Sequence, residues 1–447
     1  MSRSSRRLVT VLAAVTVAST LAACGGSNDN GGGGGGSTAN EASDTGVTAD
    51  TIKIGSHYPL TGVAAPGYST IPLGAQAYFD YVNKNGGVNG RKIDWVYKDD
   101  AYNPTNTSQV VNELVLKDEV FAIMGGLGTP THSAVVDFLN SEGVPDLFVA
   151  SGSRLWGEEP KKNPDTFGWQ TDYESEGKII GQYIAQKFPN AKVGLFLQDD
   201  DFGQDGEKGV RQFIDKQVVS AQRYTPGNTA VGPQIAALKA VGADFVVGFN
   251  VPAYTALSQL TALQLGFKPQ WFYSNVGSDP TLVGALLNNF SQGKVADASS
   301  LEGTITTAYL PTVDHPDDPW VQLFQKVWDA SGQTGPMSNY HIYGMSQAYT
   351  MVQALQAAGQ NPTRKSLVDA VEKAGADWKG PGLAPFRYSA DSHMGIGGMS
   401  VVQISGTSTK ELQPVMTTDL GDAKIQAYDG KESTPPSSGI PDEKAAK

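Results

Sequence analysis

The stretch Thr51-Ile52-Lys53-Ile54-Gly55 begins the segment that decides the fold of this chain. Its β-branched residues predict a strand, and the apolar spacing over residues 74–83 predicts an amphipathic helix after it. Asn85-Gly86-Gly87 ends that helix, and residues 92–97 begin the next strand. Strand, helix and strand in this order form the unit of a parallel α/β sheet.

The same alternation continues along the chain and starts a second time after a polar loop at residues 157–167. Further strands are predicted at residues 120–124, 147–150, 192–197, 244–249, 270–273 and 304–309. Further helices are predicted at residues 106–117, 131–141, 320–330 and 340–358. We therefore predict an α/β protein with two Rossmann-like lobes, each built on a parallel sheet.

The N-terminal segment has the three parts of an export signal. Its start is basic, residues 8–18 are apolar, and small residues precede Cys24, which is the only cysteine in the chain of 447 residues. Leu21-Ala22-Ala23-Cys24 resembles the lipobox of bacterial lipoproteins, in which the cysteine receives a diacylglyceryl group and becomes the first mature residue. The resemblance implies a signal peptide over residues 1–23 and a lipid anchor on Cys24.

A glycine-rich segment follows the predicted anchor. Residues 24–47 include six consecutive glycines among small polar residues, a composition typical of a flexible tether. Removal of the leader takes three arginines from a chain of formal net charge −12, so the mature protein carries −15. This acidic balance argues against nucleic acid as a partner, and a single cysteine excludes an internal disulfide.

Two loops rich in glycine and hydroxyl groups follow predicted strands, at residues 125–131 and 150–153. Ligands of open parallel sheets bind beyond the carboxyl ends of the strands. Glycine allows close approach of the backbone there, and hydroxyl groups supply hydrogen bonds. Spacing alone favours ordinary strand-to-helix turns that carry Ser and Thr caps over a ligand site.

Three longer motifs stand in order in the first quarter of the chain. They are His57-Tyr58-Pro59-Leu60-Thr61-Gly62, Asn85-Gly86-Gly87-Val88-Asn89-Gly90-Arg91-Lys92-Ile93 and Asp99-Asp100-Ala101-Tyr102-Asn103-Pro104. Together with shorter motifs they resemble the type I solute-binding proteins of ABC importers, in the leucine/isoleucine/valine-binding branch. The resemblance covers residues 52–402 and implies two α/β lobes that are joined by three crossing strands and enclose a ligand.

The resemblance also implies a division of the chain into segments. The crossings are expected near residues 168–173, 303–309 and 386–391. The expected segments are a signal peptide (1–23), a flexible tether (24–47), lobe 1 (48–170 plus 306–388), lobe 2 (171–305 plus 389–430) and a disordered tail (431–447).

Transferred position by position, the resemblance implies a ligand site between the lobes. Thr129 would hydrogen-bond a ligand carboxylate together with the loop at residues 150–153. Phe202 would close over the ligand from lobe 2, and Tyr68 lies beside the position that shapes the side-chain pocket. The complete predicted site consists of Tyr68, Gly128, Thr129, Ala150, Ser151, Gly152, Ser153, Phe202, Asn250 and Val276.

At Val276 the chain departs from the family. The amino-acid binders of the family have an acid there that pairs with the ligand ammonium, and a buried ammonium without a partner costs on the order of several kcal/mol. Either a nearby carboxylate, Asp279 or Asp201, replaces that acid, or the ligand is not an α-amino acid. The branch also includes binders of amides, urea and aromatic acids.

A second departure concerns two positions that can form a disulfide in the amino-acid binders. They correspond to Tyr102 and Gly128 here, so no bridge is possible.

Enzymatic and metal-dependent functions are not favoured. The chain has no Gly-x-Ser-x-Gly motif, and its five histidines lack the spacing of a metal site. The aspartate run at residues 199–205 resembles the start of a calcium loop, which needs oxygen ligands at its third and twelfth positions. Counted from Asp201, these positions are Gly203 and Gln212. We therefore predict no catalytic residue, no metal site and no cofactor.

These inferences predict an exported lipoprotein, anchored through Cys24 to the outer face of the bacterial cell membrane. It would capture a small polar solute and deliver it to an ABC permease, and we expect a monomer that does not bind nucleic acid. The alternative is a binding module that senses its ligand for a separate signalling protein. A third hypothesis, an extracellular hydrolase, predicts that the ligand is converted to product.

The lipid anchor can be tested by the substitution Cys24→Ser. The variant should fold normally but leave the membrane, because each buried acyl methylene contributes about 0.8 kcal/mol to attachment and both acyl chains are lost. Membrane fractionation with immunoblotting measures the change. Retention of the variant in the membrane fraction would contradict lipidation.

Overall fold

The computed structural model describes residues 39–431 and 433–441 of the chain. The predicted signal peptide, Cys24 and the glycine run lie outside these residues, so the lipid anchor stays a prediction. No helix within the described ranges is long and apolar enough to cross a membrane.

The described chain alternates between strands and helices. The strands are β1 (Thr51–Tyr58), β2 (Lys92–Asp99), β3 (Ala122–Met124), β4 (Asp146–Val149), β5 (Thr166–Gly168), β6 (Val193–Gln198), β7 (Val218–Tyr224), β8 (Phe245–Phe249), β9 (Gln270–Tyr273), β10 (Ile305–Ala308), β11 (Gly398–Ser405), β12 (Ser408–Thr417) and β13 (Gln426–Ala427). The helices are α1 (Ala65–Tyr68), α2 (Ile71–Lys84), α3 (Pro104–Leu116), α4 (Thr129–Ser133), α5 (Val136–Ser141), α6 (Tyr173–Lys187), α7 (Asp201–Ile214), α8 (Gly232–Ala240), α9 (Pro252–Leu265), α10 (Pro280–Phe290), α11 (Pro319–Ala330), α12 (Asn339–Ala357) and α13 (Arg364–Ala374).

The strands form two sheets. Sheet 1 has the order β2-β1-β3-β4-β5 and is parallel throughout. Sheet 2 has the order β13-β12-β11-β10-β9-β8-β6-β7; the strands from β10 to β7 are parallel, whereas β11, β12 and β13 are antiparallel additions. The predicted α/β class with two parallel-stranded sheets is confirmed. We call each sheet with the helices packed on it lobe 1 and lobe 2.

Sheet 1 is covered by helices on both faces, which a parallel sheet requires. On one face, Ile123 joins a buried cluster with apolar residues of α3 and α5. On the other face, Met124 joins the main core, which includes residues of α2 and α12. Helices α2 and α12 pack so closely that a Cβ atom on Gly344 would overlap the carbonyl oxygen of Ile71.

The chain passes between the lobes where the sheets meet. It crosses first between β5 and α6, and again after β10, since α12 returns to lobe 1 and its Gln347 Nε2 donates to Phe148 O at 2.8 Å. The third crossing differs from the expected residues 386–391, which instead form a turn bridged between Phe386 and Ile396. Residues 393–397 cross in their place, where Ile396 N donates to Trp169 O at 2.9 Å.

Several elements differ from the sequence-based expectations. The single helix predicted at residues 131–141 is divided into α4 and α5, because Thr131 Oγ1 and Ser133 Oγ bond to backbone carbonyls of the preceding turn and compete with regular helix. Strands β7, β11 and β12 and helix α13 were not predicted. Strand β7 lies at the edge of sheet 2 and is only partly buried, so it lacks a strong apolar pattern.

The folded part begins before residue 48, where the predicted tether should end. Glu41 and Asp44 lie against the segment that precedes α13: Glu41 N donates to Asn361 Oδ1 at 3.0 Å, and Asp44 Oδ2 accepts from Arg364 N at 2.8 Å. The fully buried Arg91 explains this order, since its guanidinium needs acceptors and bonds to the carbonyls of Glu41, Thr48 and Gln360. The boundary at residue 47 was therefore placed too late.

The C-terminal segment is also more ordered than expected. Residues 433–441 lie against lobe 1, where Tyr78 and Tyr81 of α2 donate hydrogen bonds to Gly439 O and Ser438 O at 2.9 and 2.7 Å. Trp320 Nε1 donates to Ser433 O at 2.8 Å. The expected disordered tail is wrong for these residues, because buried tyrosine and tryptophan donors need acceptors that this segment supplies.

Arg91→Ala tests the role of the buried guanidinium. We expect the free energy of unfolding to fall by about 3 kcal/mol or more, because several buried carbonyls lose their donor. Urea denaturation of the mature domain measures the change. Lys92→Ala is the matched control, since Lys92 is the exposed neighbour and should change stability very little. An equal loss of unfolding free energy in the two variants would contradict the structural role of the Arg91 guanidinium.

Candidate functional site

A cavity of about 170 Å³ lies between the two lobes. Its walls include loops that follow β3 and β4 of sheet 1 and β8 and β9 of sheet 2, so the carboxyl ends of both parallel sheets face it. Ligands of such sheets bind at these ends. An apolar cavity of about 150 Å³ holds a benzene molecule, so this volume suits a solute of similar or slightly larger size.

Six of the ten predicted site residues line the cavity. They are Tyr68, Gly128, Thr129, Ala150, Phe202 and Val276. Lobe 1 contributes the first four and lobe 2 contributes Phe202 and Val276. The predicted site therefore draws on both lobes in the structure.

The other four predicted residues lie one layer behind the cavity wall. Ser151 is buried, and its Oγ lies 2.8 Å from Thr129 Oγ1. Gly152 O accepts from Tyr173 N at 2.7 Å, and Ser153 Oγ accepts from Leu155 N at 3.3 Å. Asn250 is also buried, with its Nδ2 3.4 Å from Thr255 Oγ1. Ser151, Gly152 and Ser153 therefore make hydrogen bonds within the fold, whereas Asn250 Oδ1 is buried and has no hydrogen-bond partner among the described residues.

Tyrosine rings form much of the cavity wall. Tyr68 packs edge to face against Tyr340, with ring centroids 5.8 Å apart, and Tyr173 packs on Phe202 at 4.4 Å. Burial raises the pKa of Tyr68 and of Tyr340 well above the usual value, and raises that of Tyr173 to about 12. The phenols are therefore neutral at physiological pH and combine an apolar ring with a hydroxyl group.

Several lining residues were not predicted as part of the site. They are Tyr102, Gln170, Tyr173, Asn275, Tyr309, Asn339, Tyr340 and Tyr343. Asp279, which the sequence offered only as a replacement for the family acid, also lines the cavity. Tyr102 and Asn275 follow β2 and β9, so the strand-end rule could have identified them. The residues at the start of α12 carry no such signal, because α12 reaches the cavity only through the return of the chain to lobe 1.

The charged groups of the cavity wall are acidic. Asp279 and Asp314 line the cavity, and the described lining contains no lysine, arginine or histidine. Asp279 Oδ1 accepts from Leu282 N and its Oδ2 accepts from Asn339 Nδ2, both at 2.7 Å. Burial raises the pKa of Asp279. A positively charged group in the ligand would stabilise the ionised carboxylate.

A buried glutamate supports the wall from behind. Glu176 accepts hydrogen bonds from Ser274 Oγ, Asn275 N, Asn275 Nδ2 and Thr307 Oγ1 at 2.5 to 2.9 Å. Burial raises its pKa, whereas these donors favour the ionised form. The carboxylate joins α6 to β10 and to the loop after β9, and thereby orients two stretches of the lobe 2 wall.

Direct bonds connect the lobes around the cavity. Asn339 bonds to Asp279 as described above, Tyr68 OH donates to Val276 O at 3.3 Å, and Gln198 Nε2 donates to Tyr102 OH at 3.3 Å. At the rim, Arg154 Nε pairs with Asp205 at 3.0 Å, and burial raises the pKa of Asp205 to about 6. The structure thus shows the lobes in contact around the site.

The described residues contain no group of three or more His, Cys, Asp or Glu side chains that could hold a metal ion. Asp201, the other acid that could replace the family carboxylate, is exposed and does not line the cavity. Of the two candidate replacements, only Asp279 is in position to contact a ligand.

Comparison with known proteins agrees with this architecture. The chain matches the family described as periplasmic binding protein over residues 51–410. A Leu/Ile/Val-binding protein homolog 2 from Brucella abortus is 25% identical over 71% of this chain and 81% of its own length.

Solved structures share the fold at low identity. A branched-chain amino acid ABC transporter protein from Thermus thermophilus with bound valine superposes with a TM-score of 0.70, 19% identity and coverage of 83% of this chain and 97% of that one. A solute-binding protein from R. palustris in complex with 4-hydroxybenzoate superposes with a TM-score of 0.67, 21% identity and coverage of 81% and 96%.

The chain belongs to the periplasmic binding protein family. The resemblance found in the sequence motifs is confirmed, and the family and fold are those of substrate-binding proteins, which act outside the cytoplasm.

Proposed function

We propose that the protein is the substrate-binding lipoprotein of an ABC importer and that its solute is a branched-chain amino acid. The solute binds between the lobes, and a permease in the same membrane receives it from the closed form. The diacylglyceryl group on Cys24 keeps the monomeric protein at the outer face of the membrane. The observation that carries the choice of solute is the carboxylate of Asp279 in a cavity whose described lining has no basic side chain.

The charge of the cavity wall distinguishes between the possible solutes. A carboxylic acid without an amine, such as an aromatic acid, would place a third carboxylate near Asp279 and Asp314 with no cation in the described lining to offset it. An α-amino acid carries an ammonium group that pairs with Asp279 and removes this cost. Its carboxylate lies next to Thr129, whose hydroxyl belongs to a hydrogen-bonded group with Ser151.

Apolar parts of the wall suit an aliphatic side chain. Ile71 and Leu127 of lobe 1 and Val251 and Val276 of lobe 2 line the cavity beside the aromatic rings. Burial of apolar surface contributes about 25 cal/mol per Å². The volume of about 170 Å³ is consistent with a side chain of three or four carbons.

Closure explains how binding is reported to the permease. A ligand that contacts both lobes stabilises the closed arrangement in proportion to the contacts that the open form cannot make. The bonds from Asn339 to Asp279 and from Tyr68 to Val276 show that the lobes can meet around the site. Relatives of this chain are named for leucine, isoleucine and valine, which supports the same solute class.

Calorimetric titration of the mature domain tests the proposed solute. L-leucine, L-isoleucine or L-valine should bind with a Kd of about 10 μM or lower, a free energy of about −7 kcal/mol. 4-Hydroxybenzoate, acetamide and urea should bind at least about 100-fold more weakly, because none of them supplies an ammonium group to Asp279. Tight binding of 4-hydroxybenzoate with no response to the amino acids would refute the proposal.

Asp279→Asn tests the residue that pairs with the ligand amine. The substitution keeps an oxygen for the N-terminal cap of α10 but removes the charge, so the Kd for L-leucine should rise by about 30- to 1000-fold, equivalent to about 2 to 4 kcal/mol. Asp201→Asn, at the exposed start of α7, is the control and should leave the Kd unchanged. A larger rise in the Kd for Asp201→Asn than for Asp279→Asn would contradict the pairing of Asp279 with the ligand amine.

A further inference from the structure

Four buried side chains form a continuous hydrogen-bonded chain beneath the cavity loop of lobe 1. His57 Nδ1 lies 2.7 Å from Asp100 Oδ2, His57 Nε2 lies 2.9 Å from His132 Nδ1, and His132 Nε2 lies 2.8 Å from Asp146 Oδ2. All four side chains are fully buried. None of them lines the cavity, so the proposed binding chemistry does not use them. We call this set the Asp–His–His–Asp chain.

The three contacts require three protons. Each hydrogen bond needs one proton between its two heavy atoms, whereas two neutral imidazoles carry only two. If His57 directs its proton at Asp100 and both imidazoles are neutral, one of the remaining two contacts places two lone pairs against each other. A third proton satisfies all three contacts and gives the chain a net charge of −1. A fourth would place two N–H groups against each other between His57 and His132.

The surroundings of the chain favour this count. Asp100 accepts from Tyr102 N at 2.8 Å and from Thr107 Oγ1 at 3.0 Å in addition to its bond with His57, so it is well solvated as an anion. Asp146 accepts from Thr166 Oγ1 at 3.1 Å. Two buried anions at the ends of the chain attract a shared cation between them.

The ionisable groups around the chain are few. Asp165 immediately precedes β5, and burial together with the negative charge of Asp146 raises the pKa of Asp165. The Tyr102 phenol, whose pKa burial raises, is near Asp100, and the Trp156 ring packs edge-on to His132 at 5.2 Å. In the described part of the molecule, no lysine or arginine lies within ion-pair distance of Asp100 or Asp146.

Three members of the chain, Asp100, His57 and His132, are connected to the cavity wall. His132 belongs to α4, whose first residue is the lining residue Thr129. His57 O accepts from Leu127 N at 3.2 Å, and Asp100 holds the backbone of Tyr102; both Leu127 and Tyr102 line the cavity. The loop lies so close to the imidazoles that a Cβ on Gly126 would be 2.6 Å from His57 Nε2.

We propose that the Asp–His–His–Asp chain holds three bridging protons, one more than two neutral imidazoles carry, and that it thereby positions the cavity loop of residues 125–131 for ligand binding. His57, Asp100, His132 and Asp146 are positioning residues, since they act through Leu127, Thr129 and Tyr102. The proton count does not depend on the identity of the solute, whereas the effect on affinity rests on the proposed function.

The proton count has a consequence for stability against pH. In the unfolded chain, two histidines with the ordinary pKa of about 6.5 hold three ring protons between them at that pH and more below it. Below about 6.5 the unfolded chain therefore takes up more protons than the folded one, and stability is lost as pH falls. Above about 6.5 the unfolded histidines hold fewer than three protons together, and the contribution of the chain falls as pH rises. The chain therefore stabilises the fold most near pH 6.5.

NMR of ligand-free protein labelled with ¹⁵N in its five histidines counts the protons directly. Near neutral pH we expect three exchange-protected imidazole N–H signals from His57 and His132, assigned with single His→Gln variants. Two signals, one from each ring, would overturn the proposal. This measurement needs no ligand and remains decisive even if the protein does not bind leucine.

Asp100→Asn provides an isosteric test. The amide introduced at position 100 would donate to His57 Nδ1, so His57 and His132 would each carry their single proton on Nε2. His57 would then donate to His132 and His132 to Asp146, which satisfies all three hydrogen bonds with two imidazole protons. The N–H signals should drop from three to two. The unfolding equilibrium constant of the wild type, divided by that of the variant, should rise about tenfold per pH unit between about pH 5.5 and 7.5. The reason is that the folded wild type holds one proton more than the folded variant. A ratio independent of pH would contradict the third proton.

The positioning role is tested with His132→Gln. The backbone N–H groups of Leu127 and His132 should exchange at least about tenfold faster in the ligand-free variant, and the Kd for L-leucine should rise by about tenfold, the loss of about one good hydrogen bond. Leu238→Ala, in the buried core of lobe 2, controls for general destabilisation and should change neither. Unchanged exchange at these two amides would refute the positioning role, whatever the outcome with leucine.

Discussion

A parallel sheet presents the carboxyl ends of all its strands along one edge, and the site of this protein depends on two such edges facing each other. Loops after β3 and β4 meet loops after β8 and β9 across the cavity. Each loop carries backbone groups that need partners when buried, and these partners are side chains such as Glu176 under the loop after β9. The cavity is therefore polar at a few defined points and aromatic elsewhere.

The electrostatics of the cavity follow from which charges are buried. The described wall has acids but no bases, and its phenols are neutral because burial raises their pKa. Asp279 accepts from Leu282 N within lobe 2, so its orientation does not depend on contact with lobe 1. The ammonium group of the proposed solute would meet a carboxylate that is already oriented, which reduces the ordering cost of binding.

Part of the site could be predicted from the sequence because strand ends are local. Thr129, Ala150 and Val276 follow strands whose patterns are clear, and the strand-end rule places them at the cavity. Tyr340 and Asn339 could not be found this way, because they reach the cavity at the start of α12 after a long return of the chain to lobe 1. The sequence left open whether Asp279 or Asp201 replaces the family acid, and only the tertiary structure decided that Asp279 lines the cavity.

The sequence by itself determined the two α/β halves, because the spacing of apolar residues predicts the alternation of strands and helices. It also determined the family, through an ordered series of motifs. Only the tertiary structure decided that Glu41 and Gly439 belong to the fold, because the buried donors of Arg91 and Tyr78 take acceptors from segments whose composition predicts flexibility. It also decided that His57 and His132, which are 75 residues apart, lie within hydrogen-bond distance, with His57 Nε2 2.9 Å from His132 Nδ1. A hydrogen bond between distant residues depends on packing, and local residue patterns do not record that packing.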